Sequence, residues 1–349
     1  MTNPSTPKDI EYATGGTWPA GDQAAVLRSM VAKQKLAAEA RLAAANERGV
    51  EIPTDALTDI PTVSEFELHG EETTESGDAM DIVQPVCPTT IAVSGGKGGV
   101  GKSNLCLNIA ICLAEQGNNV VLIDANRCHG NVDLLCGLNG YWSLEHVVSG
   151  VRPIEDVLLD GPHGLRILPA SDQFVDLNQS HASQNTIQQL FELEDECDYV
   201  LIDAGIASDE ALRQMIGLTD ATLLVTSPEP TSIADTYATI KQLSHVQSDI
   251  RVAVNLTRSA EQGQAVFDRI DQTTKSFLEV GVRFAGAIPF DHSVFDAVSE
   301  REPVCIRSPD SLAAKCISHL TELLQETRPK NTSTFLDRFL KPDTHQSAA

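Results

Sequence analysis

Ser94-Gly95-Gly96-Lys97-Gly98-Gly99-Val100-Gly101-Lys102-Ser103 decides how this 349-residue chain is read. Gly96 through Ser103 spells G-x-x-x-x-G-K-[ST], between an apolar run at 89–94 and a helix-forming stretch at 102–116. Strand, glycine-rich turn and helix start in that order make a phosphate cradle. Backbone amides of the turn converge on an anion, and the positive end of the helix adds to the attraction. In such a loop Lys102 reaches the β- and γ-phosphates and Ser103 binds Mg²⁺. The predicted nucleotide contacts are Gly96, Lys97, Gly98, Gly99, Val100, Gly101, Lys102, Ser103 and Asn104. A turn that binds nothing is the alternative, and the flanking strand and helix weigh against it.

Outward from the loop, short runs rich in Val, Ile and Leu recur at 119–124, 165–169, 199–203, 222–226, 251–255 and 284–288. Helix-forming stretches lie between most of them. Continuous apolar strands alternating with helices predict an α/β fold: a doubly wound, mostly parallel sheet with helices on both faces. The predicted domain covers 88–326, and a polar tail with one apolar island covers 327–349.

The net charge of −24 is unevenly spread. Residues 49–96 hold ten acids and no Lys or Arg, so 49–87 reads as a disordered acidic linker. Residues 1–48 are near neutral, and the Ala-rich stretch from Asp22 to Arg48 predicts an N-terminal helix, capped by Asp22 and stopped by Gly49. An acidic chain opposes nonspecific DNA binding, which needs a basic surface. No apolar run is long enough to span a membrane, and Met1-Thr2-Asn3-Pro4 does not begin a secretion signal. The eight cysteines form no Cys-x-x-Cys pair and read as reduced, mostly buried thiols of a cytoplasmic protein.

Lys97, near the start of the loop, makes the motif a deviant Walker A. With Lys-Gly-Gly-Val-Gly-Lys-Ser in that spacing, the chain resembles the MinD/ParA family of P-loop ATPases. Gly161-Pro162-His163-Gly164-Leu165-Arg166-Ile167-Leu168-Pro169-Ala170 and Thr226-Ser227-Pro228-Glu229-Pro230-Thr231-Ser232-Ile233-Ala234-Asp235 narrow the resemblance to the FlhG branch, the flagellar-number regulators. The resemblance implies a homodimer around ATP and Mg²⁺, with Lys97 reaching the partner's phosphates. It implies a switch controlling placement or number of a polar structure, flagella in this branch. Asn255 then contacts adenine, with Pro289 packed beside it, and the metal is held by Ser103, Asp124 and Asp203. Asp22-Gln23-Ala24-Ala25-Val26-Leu27-Arg28 resembles the element with which these proteins engage the GTPase FlhF.

Two positions depart from the family pattern. In Asp124-Ala125-Asn126, the second acid of Asp-x-Asp is Asn126, and an amide is a far poorer proton acceptor than a carboxylate. After Asp203 the second switch reads one residue short, with Gly205 too early. The catalytic set is therefore Lys97, Lys102, Asn126 and Asp203, with hydrolysis expected to be slow or lost. Cys128 and His129 are too few to make a metal site. The tail segment Phe335-Leu336-Asp337-Arg338-Phe339-Leu340-Lys341 places four apolar residues on one helical face, which predicts peripheral contact with an anionic membrane at the inner face of the cell membrane. A helix folded back on the domain fits the same pattern. Other functional readings stay open: a non-catalytic adaptor for an FlhF-like GTPase, a bacterial tyrosine kinase (disfavoured because the last tyrosine is Tyr237), and a ParA-type partition protein opposed by the charge.

Overall fold

The computed structural model describes residues 87–126, 130–171, 174, 177, 183–206, 210–327, 329 and 333–340. The chain divides into two units, Met1–Met80 and Asp81–Ala349, and all described residues belong to the second. The predicted N-terminal helix with its Asp22–Arg28 element, the acidic stretch up to residue 86, Cys128, His129 and Lys341 lie outside the described residues.

Eight strands form one sheet: β1 (Thr89–Ser94), β2 (Val120–Asp124), β3 (Leu159–Asp160), β4 (Arg166–Leu168), β5 (Tyr199–Gly205), β6 (Ala221–Thr226), β7 (Ile250–Thr257) and β8 (Arg283–Pro289). Their spatial order is β3-β4-β2-β5-β1-β6-β7-β8. All neighbours are parallel except β3 and β4, which pair antiparallel at one edge. The helices are α1 (Lys102–Glu115), α2 (Val132–Leu135), α3 (Leu144–Val148), α4 (Gln184–Asp195), α5 (Glu210–Gly217), α6 (Pro230–Leu243), α7 (Ala260–Leu278), α8 (His292–Glu300), α9 (Val304–Arg307), α10 (Leu312–Gln325) and α11 (Phe335–Leu340).

Side chains alternate across a strand, so one apolar run feeds two cores. Ile91, Val93, Leu122, Leu201 and Leu223 enter the core that holds α1 and α10. Ala92, Val121, Ile123, Ile202 and Leu224 enter the other, with α4, α5, α6, α7 and α11. The central strand β1 is flanked by β5 and β6: the chain runs from β1 out through β2, β3 and β4 on one side, returns through β5, and continues outward on the other through β6, β7 and β8. The carboxyl end of β1 is thus the crevice where a doubly wound sheet receives ligands.

Of the two arrangements the tail pattern fits, the described residues take the folded-back one. Phe335, Leu336, Phe339 and Leu340 do share a face, but that face packs into the domain rather than outward. Phe335, Leu336 and Phe339 are buried, and the Phe339 ring lies 5.8 Å from Phe174 and 5.5 Å from Phe335. Glu194 of α4 accepts from Phe335 N at 2.8 Å and Leu336 N at 3.1 Å, capping the helix start. Arg338 donates to the Leu218 carbonyl at 2.8 Å. A groove that takes two aromatic rings out of water competes directly with lipid for the same surface.

Candidate nucleotide site

The loop between β1 and α1 is built for close approach. Val100 anchors it in the core, and Gly101 opens α1 at φ 92° with no side-chain cap, leaving the first amides of the helix for a ligand. The glycines at 95 and 96 are steric requirements. A Cβ on Gly95 would meet the Val225 carbonyl at 2.6 Å, and one on Gly96 would meet the Asp235 backbone at 2.4 Å. The segment 226–235 is therefore the back wall of the loop. The hydroxyls of Thr226 and Ser232 in this segment and of Thr236 just after it form a buried hydrogen-bonded set that fixes the start of α6.

Lys102 is buried, and its Nζ donates to the Lys97 carbonyl at 2.7 Å. Burial lowers its affinity for a proton, against the pull of Asp203. Lys97 points to the rim, where its Nζ pairs with Glu229 and donates to Thr231 Oγ1 at 3.0 Å. Glu229 and Thr231 went unrecognised as lysine partners in the sequence, although both lie inside the quoted Thr226–Asp235 segment.

Asp124, the last residue of β2, stands in direct register with Asp203 on the adjacent β5. Burial, and the neighbouring Asp203 charge, push Asp124 up to about 7, against amide donors from Asn126, Val132 and Asn131. Burial also raises Asp203, against the nearby Ser103 hydroxyl, the Gly205 amide and the Lys102 charge. Asp203 Oδ2 is buried without a hydrogen-bond donor. Two adjacent buried carboxylates, one of them with an orphaned oxygen, and a Ser103 hydroxyl nearby suit a hard divalent cation.

The two departures from the family pattern meet in space. The strand β5 continues past Asp203 to Gly205, which pairs with Ser94 across a register shift and accepts from Ser94 Oγ at 3.0 Å. Gly205 is thus a strand residue rather than an early switch glycine. It sits at φ 56°, and a Cβ there would lie 2.9 Å from Asn126 Cγ. Asn126 and Gly205 are one packed pair. Ala207 to Asp209 of the second switch lie outside the described residues.

Asn255 and Pro289 come together at a cavity of about 230 Å³ beside Gly99, Gly101 and Asn104. Asn255 Nδ2 donates to the Val100 carbonyl at 2.9 Å, so this side chain also braces the loop. Leu256, Phe290, Val294, Phe295 and Val298 complete the wall and were not singled out in the sequence. Leu256 holds φ 59°, a left-handed backbone that a bulky residue adopts only under constraint from its surroundings.

Residues 87–325 match the ParA family, described as NUBPL iron-transfer P-loop NTPase. The chain belongs to this family of P-loop NTPases. This ParA-family chain is 37% identical over 235 residues to the antiactivator FleN of Pseudomonas aeruginosa, covering 65% of this chain and 84% of that one. It is 26% identical over 238 residues to the flagellum site-determining protein YlxH of Helicobacter pylori, covering 67% and 81%. Among solved structures it is similar to the MinC:MinD cell division protein complex of Aquifex aeolicus. There the identity is 26%, the TM-score 0.55, and the match covers 70% of this chain and 98% of that one. As a P-loop NTPase of the MinD type, the chain is nucleotide-binding, and the MinD-like sheet predicted from its sequence is the sheet observed.

Proposed function

We propose that this chain is an ATP-binding switch of the FlhG/MinD type that regulates the number or placement of flagella. The observation that carries the proposal is the pairing of a complete phosphate loop, bearing Lys97 on its rim, with relatives named for flagellar control. In this reading ATP lies along Gly96–Asn104, its phosphates replacing the Lys97 carbonyl at Lys102 Nζ. The adenine enters the cavity at Asn255 and Pro289. Ser103, with Asp124 and Asp203 nearby, would hold Mg²⁺, which would supply positive charge against the phosphates. Lys97, freed from Glu229, reaches the phosphates bound by a second copy, and the homodimer is the active state.

Hydrolysis is slow in this proposal. Asn126 orients an attacking water but takes its proton poorly, and general-base assistance contributes about 10²–10⁴-fold. Asn126, packed against Gly205, presents an amide where a carboxylate would take that proton. Single-turnover ATP hydrolysis by wild type and Asn126→Asp tests this. The variant is expected to be faster, and a wild type equal to or faster than it would refute slow turnover.

Two partners follow as finer parts of the proposal. Asp22–Arg28 engages an FlhF-like GTPase, and residues 335–341 engage an anionic membrane from the cytoplasmic side. Lipid contact requires α11 to leave Glu194 and the Phe174 groove first. A non-catalytic adaptor is the second reading, favoured by the same Asn126–Gly205 pair and distinguished by complete absence of turnover with and without the GTPase.

A further inference from the structure

α8 presents Val294, Phe295 and Val298 to the base cavity and ends at Glu300. The next residue, Arg301, closes the helix in left-handed backbone, φ 59° and ψ 38°. A side chain is strained there, and glycine is the residue helices most often use. The guanidinium gives the arginine a purpose. Its Nε donates to the Leu134 carbonyl at 3.2 Å, and its Nη2 donates to the Leu138 carbonyl and to Asn139 Oδ1, both at 3.0 Å. The backbone is in contact as well, since a Cβ on Gly137 would lie 2.9 Å from the Arg301 carbonyl.

All these partners belong to α2 and the loop after it. The opposite end of that segment is tied to Asp124, whose Oδ2 accepts from Asn131 N at 3.0 Å and Val132 N at 3.3 Å. Asp133 braces the interior, accepting from Leu134 N at 2.8 Å and Gly140 N at 3.0 Å. Beside the packing of Val132, Leu135, Cys136 and Leu138 on the core, segment 131–140 thus has a polar tie at each end. One is the carboxylate at the phosphate end of the site, and the other is the arginine that terminates the base-lining helix.

The geometry points to Arg301 as a positioning residue that couples occupancy of the base cavity to the conformation of segment 131–140. The inference rests on the nucleotide-switch reading above. Movement of α8 on filling the cavity reaches the segment through three hydrogen bonds and one backbone contact. This route does not pass through the phosphate loop. Without the guanidinium, the Asp124 tie and the core packing remain, and the base end of the ligand loses its hold on segment 131–140.

Hydrogen exchange on the full chain, with and without ADP and Mg²⁺, tests it alongside calorimetric ADP affinity. Arg301→Gly suits the left-handed turn, so it removes the guanidinium while keeping the helix end. In wild type, ADP is expected to slow exchange over 131–140 by about tenfold or more, and in Arg301→Gly by less than about twofold, with ADP affinity changed by less than about threefold. Arg301→Lys and Asn139→Ala, which leaves α8 untouched, are expected to fall between. Equal slowing in wild type and Arg301→Gly, or no slowing in a wild type that binds ADP, overturns the coupling alone. A wild type that binds no nucleotide overturns the switch reading and the coupling with it.

Discussion

Glu194→Gln probes the latch that holds α11. Glu194 is buried, and burial raises its carboxyl from the ordinary 4.5 to about 7, despite amide donors from Leu336 and Phe335, the Thr334 hydroxyl and the Arg338 charge. A folded value above the unfolded one means the folded form is disfavoured once the group ionises. Below pH 4.5 both states keep the proton and stability is full. It falls as pH rises from 4.5 through about 7 and is constant above. At roughly 1.4 kcal/mol per tenfold in acidity, the loss is about 3 kcal/mol. Glutamine keeps a carbonyl acceptor for the helix start and carries no charge. The variant should therefore match wild type near pH 4.5 and exceed it by up to about 3 kcal/mol at pH 8.5, a rise in Tm of about 6–12 °C for a domain this size. Thermal unfolding at the two pH values measures it. An equal Tm difference at both, or a variant less stable at pH 8.5, would refute the reasoning.

Other outcomes follow from the same contacts. Gly205→Ala should cost about 1–3 kcal/mol, from its left-handed backbone and the encounter with Asn126, and denaturant unfolding of this variant alone and with Asn126→Gly separates the two parts. Phe339→Ala removes a buried ring worth about 3–5 kcal/mol, so hydrogen exchange over 335–340 should speed up by about a hundredfold or more while the core stays protected. Lys102→Ala deletes a charged phosphate donor worth about 1.5–3 kcal/mol, and ATP affinity by calorimetry should fall about 10- to 100-fold.

What could be read from the sequence was local. The phosphate loop announces itself because glycine spacing, strand and helix are contiguous. Seven strands are recognisable as short apolar runs, most plainly β1, β2 and β6, where burial on both faces makes the run continuous. The eighth, Leu159–Asp160, is two residues long and is defined only by its antiparallel partner. Asn126 and Gly205 were each visible as departures, but their contact joins the ends of two strands far apart in sequence. The tail pattern was equally good for lipid and for a groove, and only the packed Phe174 and the buried Glu194 distinguish them. Arg301 carries no motif. Its role emerges from backbone carbonyls that no residue pattern records.

A switch of this kind changes its assembly when it binds nucleotide. Light scattering of the full chain after size exclusion, with ATP and Mg²⁺, with ADP and Mg²⁺, and without nucleotide, tests it most directly, using Lys97→Ala as the paired variant. Twice the monomer mass is expected with ATP alone, and a monomer in every condition for the variant. One mass in all three conditions, or an ATP-dependent dimer that survives loss of Lys97, would contradict it.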